Sequence, residues 1–202
     1  GVEDIAAEGV TWSRARTLFR EHELFCLELE DPGHSPLPAF VNISQSRTEE
    51  LLDVAIEAQP LIDVRWGHEV VAVVSRDCGV EVTCRTPQGE QVLTGAWAVA
   101  CGGARGGGLR AALDVSFDGR TFDDAFLICD IRAHLPGWEN ERRFYFDPPW
   151  NPGRQVLIHP CPDSVYRIDW QVEPGFDLEA ARADGSLDRR IRQVIGEQDY
   201  EV

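Results

Sequence analysis

Four places in this sequence hold residue types at spacings that could do chemistry. The first is "WAVACGGARGGGLRAAL" (97–113), where a β-like apolar run meets five glycines in seven residues. A strand, a glycine-rich turn and a helix can present backbone N–H groups to a phosphate. The spacing is not GxGxxG within a βαβ unit and there is no Walker lysine, so composition favours a flexible loop over a phosphate cradle. Arg105, the one charge in that loop, is either an anion ligand or a solvated surface arginine. The second place is the pair Gln45 and Arg47 at the start of a helix that follows "AFVNI". There, ligand contact competes with the commoner role of capping and solvation. The third is Arg167 and Asp169, which alternate with Ile168 and Trp170 in "VYRIDWQV". They either line a pocket or form a structural ion pair. The fourth is His159, which ends a strand beside Pro160. A lone histidine is more often structural than a general base. Trp66, Trp97, Trp138, Trp150 and Trp170 lie in or beside strands, where core packing is the default and an aromatic-lined pocket is the sharper alternative. No G-x-S-x-G elbow is present, so hydrolase chemistry has no support.

The elements that must position these residues follow from periodicity. Residues 2–8 read as a helix closed by Gly9, and "HELFCLELE" (22–30) alternates as a strand. "ISQSRTEELLDVAIEAQ" reads as a helix with a capping box at Ser46 and Glu49 and an apolar stripe of Leu51, Leu52, Ala55 and Ile56. "IDVRWGHEVVAVVSRD", "VEVTCRT", "EQVLTG" and "AWAVAC" are separated by turns and predict an antiparallel meander. The last of these is continuously apolar and is expected to enter a core. A short helix is expected over 109–113. "DAFLICDIRAHL", "ERRFYFDP", "RQVLIHPC" and "VYRIDWQVE" form a second strand series, and 178–196 reads as a helical pair broken at Asp184 and Gly185. The class is α+β, with a boundary near 115–120.

Bulk properties narrow the partners. The chain has 202 residues and a net charge of -16, from 35 acidic against 19 basic residues. With no basic stripe, nucleic acid is not an expected partner. No apolar run has the length of a membrane span, and no signal peptide opens the chain. The six cysteines form no CxxC, and reduced thiols in a cytoplasmic protein are expected. The histidines show no HxxxH or HExxH, so no metal site is expected. There is no methionine, and both ends look cut, which leads to the expectation of a piece of a longer protein.

Four stretches, in this order, carry a resemblance that spans nearly the whole chain: "GVTWSRARTLFR"; "VNISQSRTEELL"; "WAVACGGARGGGLRAAL"; and "FDGRTFDDAFLICDIRA" with "RFYFDPPWNPG" and "YRIDWQV". Together they resemble the FAD-dependent aromatic hydroxylases of the para-hydroxybenzoate hydroxylase fold, of the 3-(3-hydroxyphenyl)propionate and polyketide hydroxylase type. The resemblance implies an antiparallel or mixed substrate-domain sheet (117–202) preceded by a meander and helices of the flavin domain (1–116). It implies an oxygen-inserting enzyme that uses FAD, NAD(P)H and O2 on a phenolic ring. Gln45, with Arg47 beside it, is implied to contact the flavin, and Arg167 to pack near its ring. Gly103, Ala104 and Arg105 would be the remnant of the family's D-G-A-R-S-x-V-R motif, and Phe146, His159 and Trp170 would face the aromatic substrate. The sequence departs from the pattern: GxGxxG and the later G-D-A-x-H segment are absent, and Gly102 and Gly106 stand where the motif has aspartate and serine. Each lost hydrogen-bonding group is worth about 1 kcal/mol. The expectation is therefore the central part of such an enzyme, inactive alone. The rival reading is a non-catalytic binding module that has lost the flavin site.

Overall fold

Alternation of apolar and polar residues with a period of two builds strands that close one face and leave the other open. In chain order the elements are α1 (Val2–Glu8), β1 (Val10–Thr11), β2 (Arg14–Phe19), β3 (His22–Glu28), β4 (Val41–Asn42), α2 (Gln45–Glu57), β5 (Glu69–Arg76), β6 (Gly79–Thr86), β7 (Gly89–Gly95) and α3 (Gly107–Ala112). They continue with β8 (Ala125–Ala133), β9 (Glu141–Phe146), β10 (Gln155–Cys161), β11 (Val165–Val172), α4 (Leu178–Ala183), α5 (Ser186–Ile195) and β12 (Tyr200–Glu201). This computed structural model describes residues 2–29, 33–104 and 106–202. The class is α+β, as the periodicity predicts, and the sheets are antiparallel and mixed, as the resemblance implies.

Two units arise: residues up to Gln59 together with Asp123–Val202, and Pro60–Phe122. This differs from the 1–116 and 117–202 division expected from sequence. The reason is β2, which lies parallel beside β9 with Arg14 opposite Glu141 and Phe19 opposite Phe146. The early hairpin of β2 and β3 thereby extends the later strands into one seven-stranded sheet, ordered β12-β8-β11-β10-β9-β2-β3. Glu141, only 2 % exposed, secures that junction by accepting hydrogen bonds from Arg16 on β2 and from Arg143.

The closed face of the sheet is covered by α5. Ile131, Ile158, Ile168 and Trp170 pack with Leu187, Ile191 and Ile195 in one cluster. Each fully buried side chain of this kind contributes about 1.5–3 kcal/mol. Asp177 caps α4 by accepting from the Ala180 N–H at 3.0 Å. The break between the two helices falls at Gly185, whose φ of 72° suits glycine. Asn151 holds the turn between β9 and β10, its amide donating to the Gln155 and Gln171 carbonyls.

The second unit is the expected meander, β5-β6-β7, with α3 against β5. Two expectations are corrected. Residues 97–101 form no strand and enter no core: Trp97 is 90 % exposed and Val99 85 %. A strand needs a neighbour for its backbone groups. Here β6 begins at Gly79, and the pairing of Val80 with Gly95 ends the ladder. The capping box at Ser46 and Glu49 is not formed either. The N-cap of α2 is Ser44, which makes no side-chain cap, so Ser46 already lies in the first turn. Of the expected stripe on α2, Leu51 is buried whereas Leu52 is 45 % exposed.

Candidate functional site

The face of the seven-stranded sheet turned away from α5 carries a row of charged side chains. Register sets Asp130 opposite Arg167 and Arg167 opposite His159. Continuing the register of β9 on β10, in which Ile158 faces Arg143, sets Arg142 next to His159. Arg167 grips Asp130 in a fork, Nε to Oδ1 at 2.7 Å and Nη2 to Oδ2 at 2.8 Å. That guanidinium holds the Asp130 carboxyl below its usual range. Arg167 therefore pairs across the strands rather than with Asp169 on its own strand. Directly opposite residues are closer than i, i+2 neighbours.

Three other side chains of this face each carry an unsatisfied atom. Among the described residues, the buried side-chain nitrogen and oxygen atoms without a hydrogen-bond partner in the protein are Arg142 Nε, His159 Nδ1 and Asp169 Oδ1. Leaving such an atom unpaired costs about 1–3 kcal/mol. Burial, with Arg142 and Arg167 nearby, pushes His159 down to about 4, so its imidazole is neutral at pH 7. Burial also raises the Asp169 carboxyl. The Arg142 guanidinium, lowered by burial, lies over the Trp12 and Phe144 rings at 5.2 and 5.3 Å.

Two hollows open on this face. The larger, about 780 Å3, is lined by Asp130, His159, Cys161 and Arg167 from the sheet and by Asn42, Ser44 and Arg47 from β4 and the start of α2. Its far wall is held in place by specific contacts. The Asn42 amide donates to the Pro160 carbonyl at 2.8 Å, and Trp12 Nε1 donates to Asn42 Oδ1 at 3.1 Å. Gly9 permits the approach of α1 to β4: a Cβ there would sit 2.1 Å from Val41 Cγ1. The smaller hollow, about 390 Å3, is walled by Phe126, Ile128, Phe144, Phe146 and Leu157, with Asp169 among its few polar groups.

Of the residues singled out from sequence, Arg47, His159 and Arg167 meet at the larger hollow and Phe146 lines the smaller. Arg47 is held by Glu8, through contacts of 2.6 and 2.8 Å, and by Glu50. Gln45 follows Ser44 and donates to Glu49 at 3.3 Å. Trp170, 1 % exposed, stands on the opposite face within the core, so it and His159 are not brought together. Gly103 and Ala104 belong to the second unit, and their carbonyls accept from Arg110 at 2.9 and 2.6 Å. Arg105 lies outside the described residues. Sequence reasoning passed over Asp130, Arg142 and Asn42. For Asp130 and Arg142 a signal existed, because each is a charge within an otherwise apolar or aromatic strand.

Comparison with known proteins sets this geometry in context. Residues 1–200 match the family model described as FAD binding domain. A 3-(3-hydroxy-phenyl)propionate/3-hydroxycinnamic acid hydroxylase from Comamonas testosteroni is 26 % identical over 171 residues, 84 % of this chain and 28 % of the relative. The crystal structure of a p-nitrophenol 4-monooxygenase from Pseudomonas putida superposes with a TM-score of 0.75 at 16 % identity, over 100 % of this chain and 51 % of that one. A flavin-dependent monooxygenase solved with FAD and substrate gives 0.73 at 18 % identity, over 98 % of this chain and 38 % of that one. The chain thus spans between about a quarter and a half of the length of these relatives.

Proposed function

The chain belongs to the FAD binding domain family, and from that membership we propose that it forms the central part of a flavin-dependent monooxygenase that hydroxylates an aromatic substrate with NAD(P)H and O2. The observation that carries this reading is the open sheet face. Aromatic walls share this face with a row of charged side chains, among them Asp169, which lines the smaller hollow, and His159, which lines the larger. A flat ring with polar groups at its rim suits such a surface, because it covers the apolar wall and sets its polar rim beside the charged row. FAD, when bound, supplies the redox chemistry that activates O2.

The chain's own residues do the positioning. Arg167, locked by Asp130, offers a fixed positive charge. His159 stays neutral. Phe144, Phe146 and Leu157 exclude water from one side of the bound ring. We assign Gln45, Arg47 and Arg167 as contacts to the ring end of the cofactor, and Phe146 and His159 as substrate contacts. Trp170 supports the latter from the closed face.

The glycine loop fits the dinucleotide end poorly. Arg110 already takes the Gly103 and Ala104 carbonyls. Gly102 and Gly106 approach so closely that a Cβ on Gly106 would lie 3.2 Å from the Gly102 carbonyl carbon. We therefore assign Gly103, Ala104 and Arg105 only a peripheral cofactor role, and expect this chain by itself to be inactive and to bind FAD weakly. The same loop favours the second reading, a small-molecule-binding module without flavin. Partners are small aromatic molecules rather than nucleic acid, given the net charge of -16. Among the described residues no helix is long and apolar enough to cross a membrane; the cytoplasmic setting is part of this proposal and rests on six cysteines without a CxxC pattern. Titrating FAD into the purified chain and following flavin fluorescence tests the assignment. A Kd of roughly 10 μM or weaker is expected, and submicromolar binding overturns it.

A further inference from the structure

His159 sits in the sheet between two arginines with different commitments. On β11 Arg167 is directly opposite, and the fork onto Asp130 matches its charge. On β9 Arg142 is next in register, and among the described residues no carboxylate contacts it. Its guanidinium lies over the Trp12 and Phe144 rings, which hold it in place without neutralising it. Trp12 is itself fixed by the bond from its Nε1 to Asn42 Oδ1. The other neighbours of the imidazole are Leu157 and Cys161 on its own strand face, Asp169 on the diagonal, and the paired Arg47 and Glu8 across the larger hollow.

Arg142 Nε and His159 Nδ1 are both buried without a hydrogen bond. Neither has surface to meet a ligand, so the proton on Nδ1 is decided by the protein's own field. On both flanks within the sheet that field comes from a guanidinium, which offers only N–H donors. A neighbouring cation disfavours a proton and favours a lone pair. The diagonal carboxylate does not compete, because Asp169 Oδ1 is without a hydrogen bond as well. A neutral imidazole carries one proton, so a bare Nδ1 places it on Nε2. Nε2 is not among the buried atoms without a partner, and the ring lines the larger hollow.

From this we propose that Arg142, held by Trp12 and Phe144, is the positioning residue of His159: it fixes the imidazole as the neutral tautomer with a bare Nδ1 and a proton on Nε2. His159 then offers the larger hollow a hydrogen-bond donor and no acceptor. The use made of that donor rests on the reading of the open face as a binding site, whereas the tautomer belongs to the free chain. Burial, Arg142 and Arg167 lower His159 to about 4 against the pull of Asp130, which fits an unmatched charge at Arg142.

The test is a long-range proton–nitrogen NMR spectrum of the full, ligand-free, nitrogen-15-labelled chain at neutral pH, which separates bare from protonated ring nitrogens. The chain has five histidines, and the signal lost in His159→Gln identifies this one. A bare Nδ1 with the proton on Nε2 is expected. Arg142→Met, which keeps a long apolar stem over the rings but removes the charge, is expected to mix the two tautomers. It should also raise the titration midpoint of His159 by about one pH unit, a tenfold change in proton affinity. Arg142→Lys, which keeps the charge, should restore the single tautomer. A proton on Nδ1 in the unaltered chain, or a charged imidazole there, overturns the proposal. So does a folded Arg142→Met chain with tautomer and midpoint unchanged, which would leave Arg142 as packing alone. The unaltered chain decides the matter even if the variants fail to fold. No ligand is added, so failure here leaves the aromatic reading standing, and failure of aromatic binding leaves the tautomer standing.

Discussion

The two faces of the seven-stranded sheet are made by alternate residues of the same strands, yet they are built to different ends. Under α5, Ile131, Ile158 and Ile168 are at most 1 % exposed, as is Ile191 on the helix itself. On the other face Phe126, Ile128 and Phe146 are 46, 59 and 42 % exposed, and Arg142, His159 and Asp169 have buried atoms without partners. Two carboxylates make the contrast sharp. Burial pushes Glu141 upward, but hydrogen bonds from Arg16 and Arg143 win and hold it below its usual range. Asp169 has no such bonds and is raised. A face that satisfies its charges is built for stability, and one that leaves them unpaired keeps them for something outside the chain.

Substitutions can break or sharpen this contrast. The largest effect is expected at Glu141→Ala, which strands two arginines at the junction of β2 and β9. Chemical denaturation should show a loss of about 3–5 kcal/mol. Ile191→Ala on the closed face should cost about 3 kcal/mol by opening a cavity in the core cluster, with aromatic binding unchanged when measured on the folded fraction. Asp169→Leu should act in the opposite direction, stabilising the free chain by about 1 kcal/mol through removal of an unpaired buried group. A stability loss there would place Asp169 among the structural residues.

The last expected effect is a slope, small at neutral pH and growing only as the pH falls. Folded His159 stays neutral until about pH 4, whereas the unfolded chain binds that proton near 6.5. The unfolded state therefore holds more protons between those limits, and stability falls as pH drops through that window. His159→Gln should flatten that part of the curve. Asp169 contributes with the opposite sign, because its raised carboxyl keeps its proton in the folded state. Asp130 is held low by Arg167 and lends stability that is lost as pH falls through its folded pKa. Both contributions persist in the variant, so the difference between the two curves isolates His159. Identical curves would mean that the imidazole is solvated.

Much of this architecture was legible where the pattern is local. The alternation in "VYRIDWQV" already separates Arg167 and Asp169 from Ile168 and Trp170, and the break at Asp184 and Gly185 marks the two terminal helices. What escaped was set by pairing at long range. "WSRARTLFR" is too rich in arginine to read as a strand until β9 lies beside it, and that pairing moves the unit boundary. The partner of Arg167 is Asp130, 37 residues away, and only the register names it. Conversely, the apolar run 97–101 promised a strand that the structure does not form, because hydrophobic composition supplies no neighbour for backbone hydrogen bonds.

The claim that the open face is an aromatic site is tested most directly by a methyl NMR titration of the chain with phenol. The contrast between the faces predicts shifts at Ile128 and Leu157, with Ile131, Ile158, Ile168 and Ile191 unmoved. Shifts at the latter four, or none at saturating phenol, would contradict it.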